Sequence, residues 1–247
     1  MAARVEVLGC PIDALDMGQT VEAVLGSIRA GRPLRHVVVN AAKLVNMRRD
    51  PALRASVLGC DLINADGQSV VWAAKLLGRP LPERVAGIDL MGRLVEAAAR
   101  EGLRVFLLGA RREVVEKVAQ HYERTYGPGL VAGFRDGYFT EAQEPEVARQ
   151  IGQSGAHILL VAISSPKKEI FMDKYQDLLR VPFTMGVGGS FDVVSGLTRR
   201  APLWMQRVGL EWLFRLAQEP GRMWKRYLVT NSWFIYLVFR ERLTGKS

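Results

Sequence analysis

Cysteine and histidine are scarce in this sequence: two of the first and three of the second in 247 residues. Cys10 and Cys60 stand in apolar surroundings, and His36, His121 and His157 are scattered. No metal-ligand spacing results, and the thiols read as core residues of a reducing compartment. A full G-x-G-x-x-G is missing, which argues against a dinucleotide cofactor and so against a sugar-nucleotide epimerase or dehydrogenase. No apolar run reaches the roughly 20 residues of a spanning helix. The nearest, Tyr227–Phe239, is interrupted by Thr230, Asn231 and Ser232. Asp13 and Asp16 fall where a secretory signal needs unbroken apolar residues, so export is not expected. Without low-complexity tracts or repeats, the chain reads as folded except at its last few residues.

What is present is an excess of positive charge, unevenly placed. The formal net charge is +9. Residues 199–247 hold ten Lys/Arg against three Asp/Glu, so +7 of it belongs to the C-terminus. Such asymmetry predicts an anionic partner there: lipid headgroups, pyrophosphate or nucleic acid. No nucleic-acid-binding motif accompanies the charge, which counts against a basic nucleic-acid-binding protein.

Short apolar, β-rich runs alternate with longer segments of helical period. Strands are predicted at Val5–Leu8, His36–Val39, Leu62–Ala65, Arg104–Leu108, Leu130–Phe134, Ile158–Ala162 and Phe183–Gly186. The alternation predicts an α/β, Rossmann-like fold with a mostly parallel sheet flanked by helices. After Gly196 only helical segments follow, near Leu203–Gln218 and from Pro220 to Phe239 or beyond. We therefore divide the chain into a catalytic α/β domain, residues 1–195, and a basic, Trp-rich helical appendage, residues 196–247.

Ligands of such a sheet lie beyond the carboxyl ends of its strands, and each end here carries something. Asn40 follows one strand and reads as a helix cap or a site residue. Asp66-Gly67 follows another and reads as a turn or a lone catalytic carboxylate. Gly109 opens a loop that could cradle phosphate at a helix N-terminus. In "GVGGSFD", Gly188, Gly189 and Ser190 permit close backbone approach, and Asp192 could accept hydrogen bonds from a ribose or base. Arg215 and Arg222 are seven apart, which stacks them on one helix face unless Pro220 redirects the chain; Lys225 and Arg226 continue the series. Guanidinium forks suit phosphate oxygens, and interleaved Trp204, Trp212, Trp224 and Trp233 suit a membrane surface as well as core packing.

Asn40, "ADG" at 65–67, "GRPLPERVAGIDL" at 78–90, "FLLGA" at 106–110, "DGYF" at 136–139, "SPKKE" at 165–169, "GVGGSFDVVSG" at 186–196 and "RRAPLWMQRVGLEWLFRLAQEPGR" at 199–222, in this order, resemble the WecG/TagA/CpsF family of bacterial glycosyltransferases. The resemblance runs from about residue 5 to 240. It implies an inverting transfer, without a required metal or other cofactor, from a UDP-sugar (N-acetylmannosamine, its uronic acid, glucuronic acid or similar) to a polyprenyl-diphosphate-linked sugar. It implies a peripheral enzyme at the cytoplasmic face of the bacterial inner membrane, of GT-E type, whose appendage docks on the anionic bilayer. Nucleic acid is not an expected partner; a homo-oligomer is an open use for the apolar run at 227–239. By the same resemblance the catalytic residues fall on Asp66 and Asn40, and substrate-binding ones on Arg84, Lys168, Arg215 and Arg222, with Lys225 or Arg226. Two positions depart from the family's pattern: Val38 replaces a Thr and Lys168 a Gln. Lys cannot accept a hydrogen bond, so a changed donor or acceptor, such as a uronic acid, is expected.

A lone acid suffices for such chemistry. The acceptor hydroxyl needs one general base as it attacks. UDP leaves without protonation, provided amides near Gly109 and Gly188–Ser190 and the appendage cations hold its charge.

Overall fold

The computed structural model describes residues 3–245, apart from the side chains of residues 222, 223 and 225–227. The strands are β1 (Arg4–Val7), β2 (Cys10–Asp13), β3 (Leu34–Val39), β4 (Leu62–Ala65), β5 (Val105–Gly109), β6 (Val131–Arg135), β7 (Ile158–Ala162) and β8 (Phe183–Gly186). The helices are α1 (Met17–Arg29), α2 (Ala41–Met47), α3 (Pro51–Leu58), α4 (Gln68–Leu76), α5 (Gly87–Arg100), α6 (Arg112–Tyr126), α7 (Glu144–Gln153), α8 (Lys167–Lys174), α9 (Gln176–Leu179), α10 (Ser190–Val194), α11 (Leu203–Arg207), α12 (Glu211–Gln218) and α13 (Pro220–Thr244).

Six strands form one parallel sheet in the order β4-β3-β8-β7-β5-β6. The near-continuous apolar runs follow from burial on both faces: every residue of β4, β5, β7 and β8 is buried. Alternate residues serve opposite sides. Val105, Leu107, Ile158, Leu160, Phe183 and Met185 face the core built with α1, α5 and α6. Phe106, Leu108, Leu159 and Val161 face α7 and α8, while Val37, Val39, Ile63 and Ala65 face α2, α3 and α4. Both cysteines are free and buried, and burial pushes their thiols up, Cys10 to about 12 and Cys60 to about 11. The predicted core role of the cysteines holds.

Three expectations change. The first predicted strand does not join the sheet; β1 turns back on β2 as an antiparallel hairpin through Leu8 and Gly9, both at positive φ. From there buried Asp13 reaches the edge of β4, accepting from the Ile63 amide at 2.8 Å and pairing with Arg4 at 3.0 Å. The predicted helix Leu203–Gln218 is two helices, broken at Gly209 (φ +72). Arg215 and Arg222 do not share a helix: Glu219 leaves helical geometry at φ −131, ψ 59, and Pro220 opens α13 as its first residue.

The run at 227–239 is used within the chain on one face only. Phe234, Leu237 and Val238 enter the core with α2 and the hairpin. Buried Glu241 accepts from the Leu8 amide at 3.1 Å and pairs with Arg79 at 3.3 Å. Among the described residues no helix is long and apolar enough to cross a membrane.

Candidate active site

The parallel sheet brings the ends of β3, β4, β8, β7 and β5 to one rim. Asp66 stands at the end of β4, its amide bonded to the Val39 carbonyl at 2.9 Å. The loop before α5 runs alongside, the Val85 amide meeting the Ala65 carbonyl at 2.9 Å. That contact sets the start of α5 over the carboxylate, and the Gly87 amide donates to Asp66 Oδ1 at 3.0 Å. A carboxylate at a helix N-terminus is favoured in its charged form. Burial opposes this and wins, raising the Asp66 pKa above the ordinary carboxylate range. The Gly87 amide, the Arg84 charge and the Lys43 charge pull it down, and the Glu211 carboxylate adds to the rise.

Asn40 is a helix cap: its side chain accepts from the Lys43 amide at 3.0 Å. It also stands beside Asp66, since a Cβ at Gly67 would lie 3.4 Å from the Asn40 Cβ. The cap reading of Asn40 therefore holds, and the cap stands next to the carboxylate.

Next along the rim is a charge cluster. Lys43 and Lys168 each put Nζ 2.8 Å from the same oxygen, Oε1 of Glu169. The two lysine side chains are 9% and 8% exposed and that of Glu169 is 0%, so the whole cluster is buried. The two ammonium groups pull the Glu169 carboxyl down to about 2 despite its burial. Lys168 also lies across Gly186, where a Cβ would meet its Cε at 2.8 Å.

The loop after β8 is bracketed from its other side by the appendage. A Cβ at Gly189 would sit 2.8 Å from the Arg215 guanidinium and 3.7 Å from Asp192 Oδ2. Arg215 Nε is buried and finds no partner among the described residues. Ser190 offers little: its amide and hydroxyl both go to the Val187 carbonyl, at 3.2 and 2.7 Å. Gly188 has φ +54 and open space where a side chain would be.

Gly109 lies four strand spacings from β4, roughly 19 Å, and the fold accounts for it as a glycine. Its φ is +124, and a Cβ would fall 2.5 Å from the Ala162 carbonyl. The neighbouring Ala110 amide is spent on that carbonyl at 3.1 Å.

A ladder of ion pairs ties the appendage to this rim. Arg84 pairs with Glu211 of α12 at 3.1 Å, Glu211 with Arg200 at 3.1 Å, and Arg200 forks onto Asp89 of α5 at 2.6 and 2.8 Å. At these partly exposed positions each pair is worth about 1 kcal/mol or less, so the ladder fixes position more than it adds stability. The corner at Gly209 adds shape: a Cβ there would meet Gln68 at 2.9 Å and Trp72 at 3.2 Å.

Residues 5–247 match the description "Glycosyl transferase WecG/TagA/CpsF family". The chain belongs to the WecG/TagA/CpsF glycosyltransferase family. It is 37% identical over 199 residues, 80% of this chain and 76% of the relative, to a Bacillus spizizenii (strain W23) protein. That relative is named N-acetylglucosaminyldiphosphoundecaprenol N-acetyl-β-D-mannosaminyltransferase.

In this WecG/TagA/CpsF transferase, then, Asp66, Asn40, Arg84, Lys168, Gly188, Gly189, Asp192 and Arg215 gather along one stretch of rim. Gly109 stands apart on β5. The side chains of Arg222, Lys225 and Arg226 lie outside the described residues. Sequence reasoning missed Lys43, Glu169, Glu211 and Arg200. Lys43 sits one helical turn beyond Asn40, and Glu169 adjoins Lys168 in the "SPKKE" stretch; those spacings are the signals that would have raised them. Among the described residues no three His, Cys, Asp or Glu side chains converge as metal ligands do.

Proposed function

We propose that this glycosyltransferase moves a sugar from a UDP-sugar to a sugar linked to polyprenyl diphosphate, working peripherally at the cytoplasmic face of a bacterial membrane. The observation that carries the reading is Asp66: a half-buried carboxyl that accepts from the Gly87 amide at 3.0 Å and has a raised pKa, at a rim otherwise rich in cations. A raised pKa strengthens a carboxylate as a base. Asp66 takes the proton of the acceptor hydroxyl as it attacks the anomeric carbon, whose bond to the UDP oxygen breaks with inversion. The departing diphosphate is neutral to proton chemistry and needs only charge to meet it. Arg215, its Nε unpartnered, and the Gly188–Gly189 backbone supply that charge in this reading, rather than a metal ion. Glu211, held between Arg84 and Arg200, is engaged as an ion-pair partner and is not free to act as base.

The relative's printed name supports the acceptor, and the exposed Trp204, Trp212 and Trp224 of the appendage support docking on a membrane. The two lysines that share Glu169 bear on the choice of donor. They hold two ammonium groups side by side, at most twice 2.8 Å apart, where a carboxylate could bridge them. This favours a donor bearing an acidic sugar, such as a hexuronate or N-acetylhexosaminuronate.

The test is a panel of UDP-sugars, assayed for UDP release with a synthetic prenyl-diphosphate-sugar acceptor. Acceptor-dependent release is expected, fastest with an acidic donor. Lys168→Gln leaves Lys43 on Glu169, so it keeps the fold; it should reduce the preference for the acidic over the neutral sugar about tenfold. Equal loss on both donors would move the lysines to the diphosphate, and no acceptor-dependent release from any donor would overturn the function.

A further inference from the structure

A cavity of about 270 Å³ opens between α2 and α13, away from the Asp66 rim. Val45 and Leu237 floor it, Trp233 and Tyr236 wall it, and Arg48, Arg49 and Arg240 surround it. Arg49 stands over the Trp233 ring at 6.0 Å. None of the three guanidinium groups has a hydrogen bond or ion pair among the described residues, and no carboxylate lines the cavity. Three like charges converging without a counter-charge repel one another until an anion joins them, and guanidinium forks fit phosphate oxygens.

The surface beside the cavity says which anion. Leu228, Ile235, Phe239 and Leu243 repeat at seven and four residues along α13, so they form one stripe. They are 62, 55, 55 and 85% exposed, on the side away from buried Phe234, Val238 and Glu241. Tyr236 stands between stripe and cavity. An apolar stripe beside a cluster of arginines and two aromatic rings suits a phospholipid, chains on one side and phosphate on the other. A second copy of the chain on this face would set six arginines against each other across a two-fold axis, which charge complementarity disfavours.

We infer that the α2–α13 cavity binds the phosphate of an anionic membrane lipid, so that α13 lies on the bilayer through a headgroup site separate from the donor and acceptor sites. The inference rests on the peripheral-membrane part of the proposed function. Its probes are dihexanoylphosphatidic acid, kept below micelle formation and titrated calorimetrically, and vesicles of phosphatidylcholine with or without phosphatidylglycerol, sedimented with the full-length protein. Wild type should bind the short-chain lipid and sediment only with phosphatidylglycerol present. Arg49→Gln with Arg240→Gln should weaken both by about tenfold or more, with an unchanged melting temperature and unchanged transfer to a water-soluble acceptor. Arg49→Lys with Arg240→Lys keeps the charge and controls for folding; it should retain vesicle binding and lose most short-chain lipid binding. Phe239→Ser should do the reverse. Undiminished lipid binding by the double Gln variant would overturn the site. So would Arg49-dependent self-association in light scattering with no affinity for either probe. Should wild type bind lipid as described yet transfer no sugar, the functional reading falls and the headgroup site stands.

Discussion

A single carboxylate is tuned here by groups from three parts of the chain. Burial raises the Asp66 pKa, and the Gly87 amide and Arg84 restrain it. Glu211, from the appendage, pushes it further up while also pairing with Arg84. A general base works only when deprotonated, so a raised pKa sets the acid limb of kcat/KM above the ordinary carboxylate range. Arg84→Gln removes a positive neighbour and should move that limb to higher pH; Glu211→Gln removes a negative one and should move it lower. A pH profile of transfer by both variants checks the opposed signs, and shifts in the same direction would contradict the arrangement. Asp66 was legible in the sequence because an apolar run stops at it, and Asn40 for the same reason. Glu211 was not: it and Arg84 are 127 positions apart, and no periodicity links them. Lys43 escaped because it looks like any helix lysine, and only the fold shows it buried against Glu169.

The elements that hold the appendage in place are a corner and a long helix. Gly209 combines φ +72 with a contact so close that even a methyl group would strike Gln68, the residue that opens α4 beside Asp66. Gly209→Ala should cost about 1–2 kcal/mol for the backbone alone and lift the corner from α4. The expected outcome is faster proteolytic nicking within residues 196–219 and reduced transfer, with the sheet intact by circular dichroism. Unchanged nicking and turnover would show that the corner does not position α12. Truncation after Gly196 is a poorer probe, because α13 carries Phe234, Leu237 and Val238 into the core and its loss uncovers the β1–β2 hairpin. The parallel strands were legible from their apolar runs. The hairpin was not, since β2 is four residues containing Pro11 and Asp13 and has no alternating pattern. The break at Gly209 hid inside a helical period that continues on either side of it.

At the scale of the molecule, the net charge of +9 resolves into distinct uses. Lys43 and Lys168 flank the loop after β8 on one side and Arg215 on the other. Arg84 and Arg200 are neutralised by carboxylates in the ladder that joins body to appendage. Arg48, Arg49 and Arg240 face outward beside an apolar stripe. The sequence predicted an anionic partner for the C-terminus from charge alone, and could not separate these groups because their sorting depends on which carboxylates fold against them. The proposed function rests on one proton transfer at Asp66. Because the folded protein holds that carboxyl at a raised pKa, ionising it at neutral pH opposes folding. Asp66→Asn removes the charge while its amide oxygen can still accept from Gly87. Transfer by the full-length Asp66→Asn protein, measured beside its melting temperature at pH 7, is the direct test. Turnover at least about a hundredfold lower, with a melting temperature no lower than wild type, is the predicted result; near-wild-type turnover by a folded Asp66→Asn protein would contradict it.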